Sequence, residues 1–552
     1  MRIFTAVVCG ATLAAMVGCS GTPEPESAFS ASPVADTESN SPETPMDQRI
    51  SDALQEAKQQ YDDGHYDTAF RYAQQAEGLI VEYDFPIEDE AMALTIQGYC
   101  LLQRGSIDDY FVKTHGMQEG AVSKFRRAIS LRDGDFRSEL GIALAQFRRH
   151  GDSIRKAESL GDGILTLEAI REDFRRGMNS KLAGKRDELL REAQRKLTVF
   201  KTNRTSLIGL GYIFQDPVSI KRNDDGSGPE PEWLGILTQN ESELLVNDMN
   251  WILDDAIAGA EITAEDTAKF RAAALDIADS WRKVRKYWRV AGLDDLQQSR
   301  DRLLQVRKRD ETLAEEMGRM SYFWVDRDLA FVFQSLGAFF LDSAMERARL
   351  MAIAEGVPEL RLEARAKEVF LDTAFDTWEK TESRRNYEAA LTYTKSFVNR
   401  HRQFEKLRLQ RVSEAEESEI NSNPFLVDLI SRYRATMDEL VQEERAMRAR
   451  MVLEAAALCI DPLFQINDLR LAIVWANELK AMSPSDPIHL FVAATAYFQA
   501  EDWEAAMDNY DGYLQASSIA NDSRRRTVAR QRILECEQYL AREAGAGEDS
   551  GR

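Results

Sequence analysis

DALQEAKQQYDDGHYDTAFRYAQQAEGL, residues 52–79, decides how the rest of the chain is read. Ala53 and Ala57 fall on one helical face, Gly64 marks a turn, and Tyr66 opens a second helix carrying Ala69, Ala73 and Ala76. Those three alanines recur at i, i+4 and i+7, which places them on a single stripe. Side chains this small let two antiparallel helices approach closely, so the stretch predicts a helix–turn–helix pair.

The pattern returns along the chain. Ala121, Phe125 and Ala128 follow a first helix with Leu94, Gly98 and Leu101. Ala390, Thr394 and Phe397 follow Ala374 and Trp378, with Asn386-Tyr387-Glu388-Ala389-Ala390 read as the turn between two helices. Ala472, Ala476 and Leu479 precede Pro484, and Ala506, Tyr510 and Tyr513 complete the last case. Ala472 and Ala506 stand 34 residues apart. Proline is absent between Pro231 and Pro358, strand-like alternation is scarce, and Ala, Leu, Glu, Arg and Gln dominate, which predicts an all-α chain.

With that 34-residue return the chain resembles the tetratricopeptide repeat (TPR) family, whose units are helix–turn–helix pairs. The resemblance rests on residues 50–80, 90–133 and 468–516, with 374–398 a further unit and Leu336-Gly337 with Phe340 a fragment of another. It implies an all-α helix–turn–helix repeat superhelix with a degenerate helical middle region. The second unit carries about eleven extra residues near Ser106 to Met117, and residues 522–541 read as a helix that closes the array. The expected organisation is N-terminal repeats over 49–160, an irregular helical region over 161–370, a helical region with one pair over 371–467, C-terminal repeats and a capping helix over 468–543, and a tail over 544–552. A Gly- and Pro-rich loop is expected at 214–242.

The amino end asks a separate question. Met1 and Arg2 precede an uncharged apolar run, Ile3 to Val17, which reads as an export signal over residues 1–18 and is too short to span a bilayer. Met16-Val17-Gly18-Cys19 resembles the lipobox of bacterial lipoproteins. The resemblance implies a lipidated Cys19, cleavage before it, and residence in the cell envelope, with Ser20 pointing to the outer membrane and its periplasmic face. An ordinary signal peptide with an incidental cysteine is the other reading. Residues 20–47 are rich in Pro and acids and lack Lys and Arg, so residues 19–48 form a disordered tether with a reach on the order of 30 Å.

The formal charge is −23, or −24 once Arg2 is removed with the signal. That balance, without a compact basic block, argues against nucleic-acid binding. No phosphate loop, nucleophile elbow or H-E-x-x-H motif occurs, the five histidines are isolated in sequence, and no C-x-x-C pair exists. Ser153 and Lys156 match S-x-x-K without its companion motifs. Asn223, Asp225 and Glu232 around Gly226 approach calcium-loop spacing, but Lys221 stands where an Asp should lead. The reading is therefore a chain with no cofactor, no metal and no catalytic residue.

One stretch is a positive candidate for partner binding. In residues 276–292, Trp281, Val284 and Trp288 share a face, while Arg282, Lys283, Arg285, Lys286 and Arg289 fill the rest. The functional expectation is a basic ridge, with Trp281, Arg282, Arg285, Trp288 and Arg289 docking an acidic partner or lipid headgroups. The bland one is an amphipathic helix that buries both tryptophans in its own core, with its cations paired to neighbouring acids. Trp251 and Trp324 either help line a groove nearby or, as aromatic residues at helical spacing more often do, belong to the core. Gln60, Tyr99 and His489 are further binding candidates on first helices. TPR lipoproteins as a class imply an envelope adaptor for protein or peptide partners. A solute- or glycan-capturing lipoprotein of the SusD-like type, or an enzyme with a site within 150–460, are the alternatives.

Overall fold

A computed structural model describes residues 46–83, 85–112, 115–132, 134–209, 237–316, 323–419, 445–516 and 523–549. Contacts divide the chain into two compact units, Leu144–Gln298 and the rest, Met1–Ala143 with Ser299–Arg552. Both are helical; among the described residues the only strands form one short hairpin.

The first unit opens with α1 (Met46–Asp62) and α2 (Tyr66–Tyr83), the pair read from residues 52–79. Ala53 and Ala57 of α1 are buried, as are Ala69, Ala73 and Ala76 of α2, and Gly64 turns the chain at φ 79°. L side chains rarely adopt that angle, so the turn favours glycine. α3 (Ile87–Gln103) and α4 (Ala121–Leu131) repeat the arrangement. The extra residues between them form β1 (Tyr110–Val112) and β2 (Gly116–Gln118), antiparallel with Tyr110 opposite Gln118.

Phe125 of α4 shows what the small residues are for. Its buried ring fits between Gly98 of α3 and Gly141 of the next helix, α5 (Phe136–Asn179). A Cβ on either glycine would stand 2.6 or 2.4 Å from a ring carbon, well inside contact distance. Three helices thus close around one aromatic side chain, and the burial of its apolar surface contributes on the order of 2–3 kcal/mol.

After Ser299 the first unit takes up the end of α8 (Ala264–Glu316), then α9 (Trp324–Ala354), α10 (Glu359–Leu371) and α11 (Trp378–Glu419). α9 is apolar and long enough to cross a bilayer by composition, yet Leu329, Val332, Leu336, Phe340 and Ala344 are buried within the unit. α11 runs antiparallel to it: Phe340 meets Trp378, Gly337 meets Tyr387, Phe333 stacks on Tyr393 at 5.4 Å, and Trp324 meets Phe397.

This corrects the expected turn at 386–390, which lies inside α11. No Gly or Pro interrupts residues 378–419, and Asn386 donates its side-chain amide to the Glu382 carbonyl within the helix. The partner of this stretch is therefore α9, which carries Leu336 and Gly337.

The chain then forms α12 (445–460), a single 3-10 turn at Pro462–Phe464, α13 (Leu469–Met482), α14 (Ile488–Gln499), α15 (Trp503–Gln515) and α16 (Ser523–Asp549). Aspartates start three of these elements, with Asp461, Asp468 and Asp502 accepting from the amides of Leu463, Leu471 and Ala505. Such caps are worth about 1 kcal/mol each. Phe491, Ala494, Tyr510, Tyr513 and Ala529 bury α14, α15 and α16 against one another.

The second unit is built from the later part of α5, α6 (Ala183–Gly209), α7 (Gln239–Ile257) and the first part of α8. Its core centres on Trp281, fully buried beside Phe200 at 4.9 Å and over Gly163, with Phe174 stacked on Phe270 at 3.9 Å. Thr238 and Glu241 form a reciprocal capping box at the start of α7. Residues 239–242, expected as loop, are therefore the first turn of a helix, while 210–236 lie outside the described residues.

Candidate functional site

The basic ridge on α8 is the first arrangement to place. Trp281 and Trp288 belong to the core of the second unit, with Val284 between them. Neither indole is offered to a partner, which corrects the expectation that both would anchor one. The physical reason is the glycine at 163: without a Cβ, α5 leaves a slot that Trp281 fills. Trp288 is roofed by the Lys156 ammonium, 4.0 Å from the ring centroid.

The arginines are engaged locally. Arg282 bonds Glu168 at 2.6 Å and Asp279 at 2.5 Å. Arg285 lies against Gly161, and its charge acts on Glu158, whose carboxyl burial raises above its ordinary value. Arg289 is half-buried. An ion-paired helix face of this kind is weakly basic at best.

Other sequence candidates resolve in the same way. Ser153 is buried under Gly292 and Lys156 is occupied by Trp288, so S-x-x-K supplies no nucleophile and base pair. His489 is buried and bonds the Asp486 carbonyl at 2.8 Å. Tyr99 donates its hydroxyl to the Arg137 carbonyl and packs edge-on against Phe125, while Gln60 bonds Glu56 within α1. Trp324 packs among Phe323, Phe397 and His401. Cys19, Asn223, Asp225 and Glu232 lie outside the described residues. Trp251 is the exception: it is 71% exposed.

The densest polar arrangement is one that local sequence could not reveal, a seam along α11 of the first unit. Asp326 of α9 is buried and accepts from Arg307 of α8 at 2.6 Å and from Ser396 of α11 at 2.7 Å. Arg400 reaches the same carboxylate at 3.4 Å and Glu311 at 2.6 Å. One residue on, His401 faces Arg448 of α12 at 3.0 Å through Nδ1. A guanidinium only donates, so Nδ1 accepts and the ring proton sits on Nε2. Arg448 also bonds Glu405 at 2.8 Å, and Arg402 pairs with Glu478 of α13. Burial opposes ionisation of Glu405, but Arg448 and Arg445 outweigh it and hold its carboxyl below the usual range.

Each of these carboxylates already faces a guanidinium. The seam ties helices together and leaves no acid poised to act as a base. Among the described residues no group of His, Cys, Asp and Glu could hold a metal ion. Cys100, Cys459 and Cys536 are buried free thiols, and burial pushes the first two up to about 12. They stay protonated at neutral pH and make poor nucleophiles. A narrow cleft between α9, α11 and α12, lined by Ala330, Phe331, Ala390, Thr394 and Glu454, has room for about one water molecule.

Large apolar side chains are also exposed at the surface of each unit. Trp378 opens α11 of the first unit 64% exposed, in a T-shaped contact with Phe340 whose ring centroids stand 5.2 Å apart. Leu244 and Trp251 stand exposed on α7 of the second.

No family model matches the chain, and no curated protein matches it. Among solved structures it is similar to the TPR domain of P58(IPK), at 13% identity over 90% of this chain and 99% of that one, with a TM-score of 0.15. It is also similar to yeast Tom70, at 11% identity over 90% and 97%, with a TM-score of 0.14. Values this low carry no argument, and the paired-helix architecture stands on the packing described above.

Proposed function

We propose that the chain is a non-catalytic helical-repeat scaffold, anchored to the cell envelope through a lipid on Cys19, that holds protein partners on its helix faces. The observation that carries the binding role is Trp378. Its indole is largely in water yet packs against the Phe340 ring, so little side-chain entropy is lost when a partner covers it. Tryptophan in that state is the residue type most enriched among binding hot spots. The anchor is supported by Met16-Val17-Gly18-Cys19 and the tether that follows.

Crosslinking in intact cells, followed by capture of the full chain, tests both parts. Trp378→Ala is expected to lose a stoichiometric protein partner without changing the amount of folded chain. Cys19→Ser is expected to move the chain from the membrane to the soluble fraction. Glycan binding with no protein partner would overturn the scaffold in favour of a solute-binding lipoprotein, and a membrane-bound Cys19→Ser chain would overturn the anchor.

A further inference from the structure

The outward face of α7 is built against its own helix. Gln239–Ile257 carries five acids, Glu241, Glu243, Asp248, Asp254 and Asp255, and no Lys or Arg. Two of the five fall in the last turn, where the partial negative charge of the helix end disfavours acids and favours cations. On the same face Leu244 and Trp251 are exposed at 64% and 71%. Residues 241, 244, 248, 251 and 255 follow spacings of three and four, so they form one straight stripe, while Val246, Met249 and Leu253 face the core.

The neighbours compensate only part of the charge on this helix: Gln194 and Asn250 donate to Asp254, and Arg186 reaches the Ala256 carbonyl at the helix end. Lys269 pairs with Glu265 at 3.1 Å and also feels the Asp248 charge, while among the described residues Asp255 makes no ion pair. Arg204 reaches only to 3.9 Å of Glu243, at the edge of the stripe. A helix that keeps unfavourable acids beside an exposed indole departs from local stability rules where a functional surface would do so.

We infer that this face of α7 docks a basic amphipathic helix of a partner protein. The two apolar residues, seven apart, match the contact spacing of helix against helix, and the flanking acids fit Lys and Arg at the partner's margins. Acidic charge on this face turns away anionic lipid headgroups, which selects a protein over a bilayer. The inference concerns the second unit and does not depend on Trp378.

The test uses the full chain and a fluorescein-labelled helical peptide of leucine and lysine at heptad spacing, followed by anisotropy. Leu244→Ala with Trp251→Ala is expected to weaken binding about thirty-fold, the loss typical of a hot-spot anchor. Asp248→Lys with Asp255→Lys is expected to lose the lysine peptide and gain its glutamate counterpart. Asp508→Lys with Asp511→Lys, exposed on α15, changes net charge equally and is expected to stay within roughly threefold of the parent. All six substituted positions are at the surface, so circular dichroism is expected to be unchanged.

Equal weakening by the α15 control would reduce the effect to bulk attraction and overturn the proposal. So would Trp251-dependent binding to phosphatidylcholine vesicles without peptide binding, which would make the occupant a bilayer. Concentration-dependent sedimentation abolished by Trp251→Ala, again without peptide binding, would make it a second copy of the chain.

Discussion

Replacing a helical glycine by alanine ordinarily stabilises a protein by about 0.4–1 kcal/mol, because the unfolded chain loses freedom. Gly163 of α5 should reverse that sign. A Cβ placed there would lie 1.9, 2.7 and 3.0 Å from three atoms of the Trp281 ring. The ring cannot retreat, since it is fully buried and packs against Phe200. Overpacking of this severity costs about 3 kcal/mol, the upper end of the usual range. Subtracting the alanine gain leaves a net loss of about 2 kcal/mol, or roughly 4–8 °C in Tm for a unit of this size. Gly151, on the same helix, has no neighbour within 4 Å of an added Cβ, so Gly151→Ala should gain the full propensity term. Urea unfolding of the full chain, followed by circular dichroism, compares the two. A Gly163→Ala midpoint at or above that of the parent would refute the packing assigned to Trp281. A double-mutant cycle sharpens the result: Trp281→Phe should cost less in the Gly163→Ala background than in the parent.

Two further outcomes follow from buried polar groups. Asp326→Ala removes the acceptor shared by Arg307, Ser396 and Arg400, and should destabilise by about 2–3 kcal/mol because the two partly buried guanidinium groups lose that carboxylate and keep Glu311; a loss under about 1 kcal/mol in chemical denaturation would contradict the seam. His150 donates Nδ1–H to the Gly292 carbonyl at 2.8 Å, and burial drops its pKa from 6.5 to about 4. The unfolded chain therefore takes up a proton first as pH falls. Stability from the neutral ring is present above pH 6.5 and is lost between 6.5 and 4, amounting to about 3 kcal/mol. Histidine NMR signals across that range check it, and a His150 resonance titrating near 6.5 would count against its burial.

Helix pairing was legible wherever small residues recur on one face. Ala69, Ala73 and Ala76 could be read as a contact stripe because close approach of two helices demands small side chains there, whatever the partner is. Gly98 and Phe125 were legible for the same reason, although the second glycine that completes the ring's slot, Gly141, lies on the following helix. The long helices were not. Phe136–Asn179 and Ala264–Glu316 lack a Pro to end them, and each contributes residues to both units, so it packs in more than one core. A single periodic stripe is diluted under those conditions. The turn expected at 386–390 failed because Asn and Tyr suit a turn locally, whereas Gly337 offers Tyr387 a better place within a continuous helix. Tertiary burial outweighs a propensity worth only a fraction of a kcal/mol.

Charge is harder to read than shape, and the two acidic and basic helices of the second unit show why. Residues 281–290 hold five cations, so from sequence alone this stretch of α8 stands out as the charged surface. Its cations meet acids such as Glu168 that lie more than a hundred positions away, so much of that charge is neutralised in the fold. The acids of α7 do not stand out in the same way, because acids are common in a chain of net charge −23. Only the fold distinguishes them: it lays Glu168 beside Arg282, and it leaves Asp248 only the already paired Lys269 and Asp255 no ion pair among the described residues, while turning Trp251 outward. What marks a surface for binding is therefore the charge left over after folding, together with the apolar area beside it. By that measure the acidic stripe of α7 is a stronger candidate than the basic ridge of α8.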